Sequence, residues 1–394
     1  MFLNLSSIIS FKTFQAEGSE WKRFGKIFFL LTGGSVLILA AILECVSWRV
    51  GQTIPYDEAA QEQIKNSALI WNEGDSEQAA FKLIRMQQAR PGVIVIGQSR
   101  MSQFRSAMFR PYGFYNLGQI AWTFSVYSDL LRQLPADYSP KIVFFSLDFF
   151  NLNPRYLADY AMAPPGHGGS GWLGHLDAWR EIYSIVSIHP DAIMAGRSDA
   201  RGEPCIGLRA AYYGEGVRLD GSEAQPFRAL NTAGRNPDLF HTVQWDHPPI
   251  YYGDAVSDEE MAKLEKFIAQ VRAHGATPVG VQMPIYGPVL RAIEHNPRYG
   301  IWKDFQNRIG GGYFNRLGLI VFDYSKFPPY SDDYRYFIDA FHPTEAVCAA
   351  TLLKMSGDPR VRAVLPVLDT ASLQRKLEED RNADQHVYLY RNEF

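Results

Sequence analysis

Cysteine is scarce in this sequence, and so is excess charge of either sign. Only three cysteines, Cys45, Cys205 and Cys348, occur among 394 residues, and none forms a CxxC pair. This number and spacing argue against a zinc cluster or a disulfide framework, although a single Cys205–Cys348 bridge remains open. The formal net charge is −3, so the chain lacks the excess of positive charge that is typical of proteins that bind nucleic acid. We therefore expect no metal, no cofactor and no nucleic-acid partner.

One apolar run near the N-terminus is long enough to span a membrane. The stretch IFFLLTGGSVLILAAIL, residues 27–43, would be roughly 26 Å long as a helix, and roughly 33 Å when continued to Trp48. Residues 27–48 thus match a hydrocarbon core of about 30 Å. Because Lys22, Arg23 and Lys26 come before the run, we expect residues 1–26 in the cytoplasm. The chain after Trp48 would then lie outside the inner membrane, in the periplasm.

A cleavable signal peptide is the main alternative for this run, and it would make the protein a soluble secreted hydrolase. Signal peptides have a shorter apolar core followed by small residues at the cleavage site. Here Glu44, Cys45, Trp48 and Arg49 follow instead. The pattern favours an uncleaved, single-pass anchor.

The remainder of the chain has the composition of a packed globular protein, with 46% hydrophobic and 21% charged residues overall. Short apolar runs alternate with helical patterns, which predicts a mostly parallel sheet covered on both faces. The predicted strands are residues 93–96, 113–116, 142–147, 277–282 and 319–323, and the clearest predicted helices are residues 122–133, 258–274 and 301–316.

Composition divides this part of the chain further. Residues 49–90 read as a connecting arm of one or two helices, and residues 91–365 as the main α/β domain. Within it, residues 151–255 are rich in glycine, proline and aromatics, with one helical pattern at 176–187 and no clear strand. We interpret this block as an insertion that borders the site. Residues 366–394 form a charged C-terminal helix and tail.

The first predicted strand ends in Gly97-Gln98-Ser99-Arg100, which raises the question of whether Ser99 is a nucleophile or only a capping serine. A hydroxyl needs a base to take its proton, and the base needs a third group to orient it. Asp339 and His342, three residues apart, follow the fifth predicted strand at the edge of the sheet to which Ser99 would point. This spacing can place the carboxylate against the ring Nδ1 and leave Nε2 for the serine. Asp339 could instead cap the last helix.

These motifs, together with Gly118 in YNLG after the second strand, resemble the SGNH hydrolase superfamily, also called GDSL-type hydrolases. Among its members, the membrane-anchored DltD-like and alginate-acetylation-type proteins are the most similar in organisation. The resemblance implies a flavodoxin-like three-layer α/β/α fold, with Ser99 as nucleophile, His342 as general base and acid, and Asp339 as its orienter. It also implies an oxyanion hole built from the Ser99 and Gly118 N–H groups and an asparagine side chain.

Two positions depart from the family pattern. Gln98 stands where many relatives have aspartate. Asp148 lies near the position of the family asparagine, where a carboxylate would repel an oxyanion. Either Asp148 pairs with Arg100 and shapes the site, or Asn151 or Asn153 supplies the missing donor from a shifted turn.

The leading functional hypothesis is a membrane-anchored serine O-acyltransferase or acylesterase that transfers or removes an acyl group, most simply acetyl. Its acceptor would be a cell-envelope or secreted polysaccharide. The expected partners are a membrane-bound O-acyltransferase that supplies the acyl group and a glycan synthase complex. The alternative is a catalytically inactive accessory subunit that binds a nascent glycan or the acyltransferase. The sequence leaves open the acyl donor, the acceptor glycan, the choice between transfer and hydrolysis, and the oligomeric state.

Overall fold

The structure is a computed structural model of the chain, and it describes residues 18–71, 74–156, 172–199, 201–224, 246, 250–339, 341–381 and 389–390. Most of the predicted cytoplasmic segment, residues 1–17, lies outside the described residues, as does much of the block between 151 and 255. The described helices are α1 (Gly18–Val50), α2 (Tyr56–Asn66), α3 (Gly74–Ala89), α4 (Phe124–Arg132), α5 (Trp172–Ile188), α6 (Leu208–Tyr213), α7 (Asp258–Ala273), α8 (Gly287–His295), α9 (Gly300–Gly310), α10 (Tyr313–Arg316), α11 (Glu345–Met355), α12 (Pro359–Val364) and α13 (Thr370–Asp380).

Helix α1 contains the apolar run near the N-terminus. Its segment Lys22–Val50, 29 residues long, is long and apolar enough to cross a membrane. Large apolar side chains project from it on all sides and are exposed, among them Phe24, Phe29, Leu30, Leu37 and Ile38. Such a surface is unfavourable in water and suits a lipid environment or a signal sequence.

Five parallel strands form the main sheet: β2 (Val93–Gly97), β3 (Phe114–Gly118), β4 (Ile142–Ser146), β8 (Thr277–Gln282) and β9 (Ile320–Asp323). Their order is β3-β2-β4-β8-β9, which is the order 2-1-3-4-5 of one class of doubly wound sheets. All five predicted strands are confirmed to within two residues at each end. The first strand of this sheet, β2, lies between β3 and β4. The chain therefore adds β3 on one side of β2 and the later strands on the other side. Ligand sites of such sheets form at this switch point.

Helices cover both faces of the main sheet because its strands are apolar on both sides. Ile94 and Ile96 of β2 face a core built with α3, α4, α7, α8 and α9. Val93 and Val95 face the opposite core, built with α11, α12 and α13. The predicted helix 301–316 is interrupted, since α9 ends at Gly310 and α10 begins at Tyr313, with Gly312 in a left-handed conformation (φ 68°).

A second, smaller sheet joins the arm to the glycine-rich block. It contains β1 (Leu69–Ile70), β5 (Cys205–Ile206), β6 (Gly216–Val217) and β7 (Glu223–Ala224), in the order β5-β1-β6-β7. The arm therefore contributes a strand as well as two helices, and the described residues of the block expected to lack clear strands include three. Each strand is only two residues long, too short for an alternating pattern to be read from the sequence. Cys205 and Cys348 are both buried and free, so the possible bridge between them is not formed.

Buried charges tie the loop that precedes β7 to the main sheet. Arg105 donates to Asp220 at 3.3 Å and to Glu345 at 2.8 Å, and all three side chains are buried. Asp220 also accepts from the Ser106 N–H at 2.8 Å. Burial acts to raise the pKa of Asp220, but the charge of Arg105 and several hydrogen bonds outweigh it and lower that pKa to about 2. The ionised form of Asp220 therefore contributes to the stability of this junction.

We expect the Asp220→Asn variant to lose stability at neutral pH and to show a weaker acid dependence. Because the folded pKa lies below an unfolded value of about 3.9, ionised Asp220 contributes its full stability above the unfolded pKa. That contribution, about 2 to 3 kcal/mol, is lost as the pH falls through about 2. Urea midpoints measured in detergent between neutral and acid pH test this. Asp258→Asn, at a side chain that is 98% exposed, is the control; equal acid profiles for both variants would contradict the assignment.

Candidate active site

Ser99, His342 and Asp339 come together at the carboxyl edge of the main sheet. Ser99 begins the 3₁₀ turn Ser99–Met101 immediately beyond β2, and its Oγ lies 2.7 Å from His342 Nε2. His342 Nδ1 lies 2.8 Å from both carboxylate oxygens of Asp339. The hydroxyl, the imidazole and the carboxylate thus form a continuous hydrogen-bonded chain. This is the geometry in which an imidazole can take a proton from a serine while a carboxylate holds its ring.

The loop that carries Asp339 and His342 is closed by its own backbone. The Ile338 N–H donates to the His342 carbonyl at 2.8 Å, and the Thr344 N–H donates to the Tyr336 carbonyl at 3.0 Å. Asp339 Oδ1 accepts from the backbone N–H groups of Phe341 and His342, at 3.2 and 2.9 Å. One carboxylate therefore fixes both the loop and the ring, which a spacing of three residues permits.

The environment keeps Asp339 ionised. Its burial acts to raise the carboxyl pKa, but the adjacent His342 ring and the backbone donors have the larger combined effect and lower the pKa to about 2. A carboxylate that stays charged at neutral pH stabilises an imidazolium formed on His342.

The capping alternatives for the two motifs do not match the observed contacts. Gln98, not Ser99, occupies the N-cap of the turn after β2, and no side chain caps that turn. Thr344, not Asp339, occupies the N-cap of α11. The Ser99 hydroxyl is directed to His342, and the Asp339 carboxylate to the loop and the ring.

Arg100 and Asp148 form an ion pair next to the triad, and both side chains are fully buried. The guanidinium also donates through Nε to the Phe341 carbonyl at 3.3 Å, and through Nη2 to the carbonyls of Met283 and Pro284 at 2.9 and 2.6 Å. Arg100 therefore connects the turn after β2 with the ends of β4 and β8 and with the residue before His342. This contact corresponds to the first of the two alternatives for Asp148.

Asp148 has further donors besides Arg100. Its Oδ2 accepts from Ser146 Oγ at 2.5 Å, and its Oδ1 accepts from Gln282 Nε2 at 2.8 Å. Burial raises the pKa of Asp148, while the Arg100 charge and these hydrogen bonds oppose that shift. With its oxygens engaged by three side chains, Asp148 serves as an internal partner of Arg100 and lies at the position where the family asparagine was expected.

Two of the three expected oxyanion donors are engaged elsewhere. The Gly118 N–H donates to Asn116 Oδ1 at 2.6 Å. Asn151 Nδ2 donates to the Trp122 carbonyl at 3.0 Å, and its Oδ1 accepts the Asp148 N–H at 3.1 Å. The Ser99 N–H, in contrast, takes part in no hydrogen bond among the described residues. The structure thus differs from the expected donor set at Gly118, whereas Asn151 retains one amide hydrogen.

Asn153, the other asparagine considered, donates instead to the carbonyls of Tyr251 and Tyr252.

Two polar side chains near Ser99, those of Asn116 and Gln98, have surroundings that the sequence motifs do not predict. Asn116 Nδ2 donates to the carbonyls of Met101 and Phe104, at 2.9 Å each, and so braces the chain that follows Ser99. Gln98 is 1% exposed, and its Nε2 has no hydrogen-bond partner. An unpaired buried amide costs about 1 to 3 kcal/mol. Asn116 and Gln98 belong to the YNLG and GQS motifs. These motifs do not show which groups the two side chains contact.

No group of three or more His, Cys, Asp or Glu side chains in the described ranges is arranged to hold a metal ion. Comparisons of the chain with protein-family models, with curated proteins and with solved structures find no match. The resemblance to SGNH hydrolases is one of sequence motifs.

We expect Arg100→Met to destabilise the fold by about 3 to 5 kcal/mol, because it leaves the Asp148 carboxylate buried without its cation. Adding Asp148→Asn removes that charge and should restore part of the loss. Chemical unfolding of the two single variants and the double variant measures the coupling between the sites. Additive effects of the two substitutions would show that the ion pair has no such role.

We expect Asp339→Asn to slow modification of Ser99 by a fluorophosphonate, which reacts with activated serines, by on the order of 10³- to 10⁴-fold. The amide would favour the wrong tautomer of His342 while leaving its size unchanged. Mass spectrometry of the labelled Ser99 peptide gives the rate. Asp369→Asn, at the N-cap of α13, is the matched control; equal labelling rates in the two variants would rule out the orienting role of Asp339.

Proposed function

We propose that the chain is a membrane-anchored serine O-acyltransferase or acylesterase of the SGNH type. The observation that carries the proposal is the continuous contact from Ser99 Oγ through the His342 ring to the Asp339 carboxylate. The strand order 2-1-3-4-5 and the position of the triad at the carboxyl edge of the sheet also agree with an SGNH fold.

The reaction proceeds through a covalent ester on Ser99. Ser99 Oγ attacks the acyl carbonyl carbon while His342 Nε2 accepts the hydroxyl proton, and Asp339 stabilises the imidazolium. The tetrahedral intermediate then collapses, and His342 returns the proton to the leaving oxygen. A sugar hydroxyl or water attacks the acyl-enzyme with His342 again as base, and the proton finally returns to Ser99.

The developing oxyanion needs hydrogen-bond donors near Ser99. The Ser99 N–H is the backbone donor, and the second amide hydrogen of Asn151 is one side-chain candidate. The buried Gln98 carboxamide is adjacent to the nucleophile in the chain and is the other. Gly118 could contribute only if its N–H exchanged Asn116 for the substrate.

The place of action and the partners follow from the anchor and the family resemblance. We place α1 in the inner membrane with residues 1–26 in the cytoplasm and the α/β domain in the periplasm. The acceptor is a cell-envelope or secreted polysaccharide, the acyl group is acetyl, and a membrane-bound O-acyltransferase supplies it. Whether a sugar hydroxyl or water completes the reaction depends on the acceptor that reaches the acyl-enzyme.

We expect Ser99→Ala to abolish fluorophosphonate labelling and to reduce hydrolysis of a simple acetyl ester by at least about 10⁴-fold. The substitution removes the nucleophile and leaves the rest of the triad in place. Ser356→Ala, at the C-cap of α11, serves as the control and should keep full activity. If the wild-type protein neither labels at Ser99 nor turns over an ester, the inactive accessory subunit becomes the better interpretation.

A further inference from the structure

The outer end of α1 is built into the folded domain. Leu43, Val46 and Val50 are buried in one cluster with side chains from α5, from α6 and from the turn between α5 and β5, namely Ile182, Ile185, Ala192 and Leu208. The Gly207 N–H also donates to the Val50 carbonyl at 2.8 Å. The apolar helix thus passes into the domain without a flexible linker.

Polar contacts reinforce this junction. Glu44 accepts from Trp179 Nε1 at 2.8 Å and lies 3.1 Å from His175 Nδ1. Gln52 donates to Glu181 at 2.9 Å and accepts from the Leu208 N–H at 2.8 Å. The surface of the domain around residues 48–51 is therefore held at a defined position relative to the axis of α1.

The length of α1 places this surface at the headgroups of a bilayer. Lys26 and Arg49 are 23 residues apart in one helix, or roughly 34 Å at 1.5 Å per residue. A hydrocarbon core is about 30 Å thick, so the two cations fall in opposite headgroup layers. Trp48, 75% exposed, and Met194, 72% exposed, are the large apolar side chains beside Arg49 and Ala195. An exposed tryptophan at this level is typical of a membrane interface.

Two arginines at this surface lack an acidic partner. Arg49 Nε donates to the Ala195 carbonyl at 2.9 Å. The exposed Arg197 guanidinium lies over Gly51, where an added Cβ would be 3.1 Å from its Nε. Across the described ranges, neither guanidinium forms an ion pair with a carboxylate. The partial negative charge at the C-terminal end of α1 attracts the Arg197 guanidinium. This partial charge is too small to neutralise both arginines.

We propose that Trp48, Arg49, Met194 and Arg197 form a docking surface for the headgroup phosphates of an anionic phospholipid. The arginines bind the phosphate, and the two apolar side chains enter the acyl boundary beside α1. The occupant is the bilayer that α1 crosses, because the surface is continuous with that helix. The inference rests on the membrane anchorage in the proposed function and is independent of the catalytic activity.

The test uses the full chain in nanodiscs of phosphatidylcholine mixed with phosphatidylglycerol in equal amounts. Native mass spectrometry of the protein released from the discs measures which lipid is retained. We expect the wild type to retain phosphatidylglycerol preferentially. In the variant with Arg49→Gln and Arg197→Gln this preference should be about 30-fold lower, because two charges that attract the anionic headgroup are removed. A charge-matched variant with Arg316→Gln and Arg360→Gln should keep it.

The possible outcomes separate the two proposals. A wild-type chain that does not enter nanodiscs refutes the anchorage and the docking surface together. Entry without preference for phosphatidylglycerol, or a preference that survives the double substitution, refutes the docking surface alone. If the double variant is unstable, Arg197→Gln alone removes one cation outside α1 and should lose about 5-fold; an unchanged preference there is equally decisive. Ester turnover should be the same in all variants, so failure of the catalytic proposal would be seen separately.

Discussion

The buried ion pair between Arg100 and Asp148 is the interaction on which the rest of the site depends. Arg100 directly follows Ser99, and its donors reach the residues after β4 and β8 and the carbonyl beside His342. A neutral side chain could not satisfy so many carbonyl and carboxylate oxygens at once, because only a guanidinium carries five donors in one plane. Ser99 and His342 lie 243 positions apart in sequence. The hydrogen bonds of the Arg100 guanidinium are among the contacts that hold them next to each other.

Much of the fold could be predicted because its signals are local. The strands of the main sheet are runs of apolar residues that are buried on both faces, so periodicity and length suffice to find them. The pairing of Asp339 with His342 is also a local event, since the carboxylate and the ring belong to one short loop. Strand order then brings that loop to the edge where Ser99 ends β2, which a parallel sheet makes predictable.

The remainder depends on contacts between distant residues, which one sequence does not reveal. The two-residue strands of the small sheet pair the arm with residues more than a hundred positions away. The engagement of the Gly118 N–H by Asn116 is a matter of side-chain rotamer, and nothing in YNLG distinguishes it from a free donor. Pairing of Asp148 with Arg100 is one of two alternatives that the sequence offers, and the sequence does not decide between them because the contact joins residues 48 positions apart.

The packed junction between α1 and the domain has a consequence for proteolysis. Proteases bind extended, accessible backbone, and they cut folded proteins mainly at exposed loops. Residues 43–52 are instead helical or tightly turned, with several side chains buried against α5 and α6. Release of the domain by a cut in this segment would first require the segment to unfold. The fold therefore protects its own attachment point.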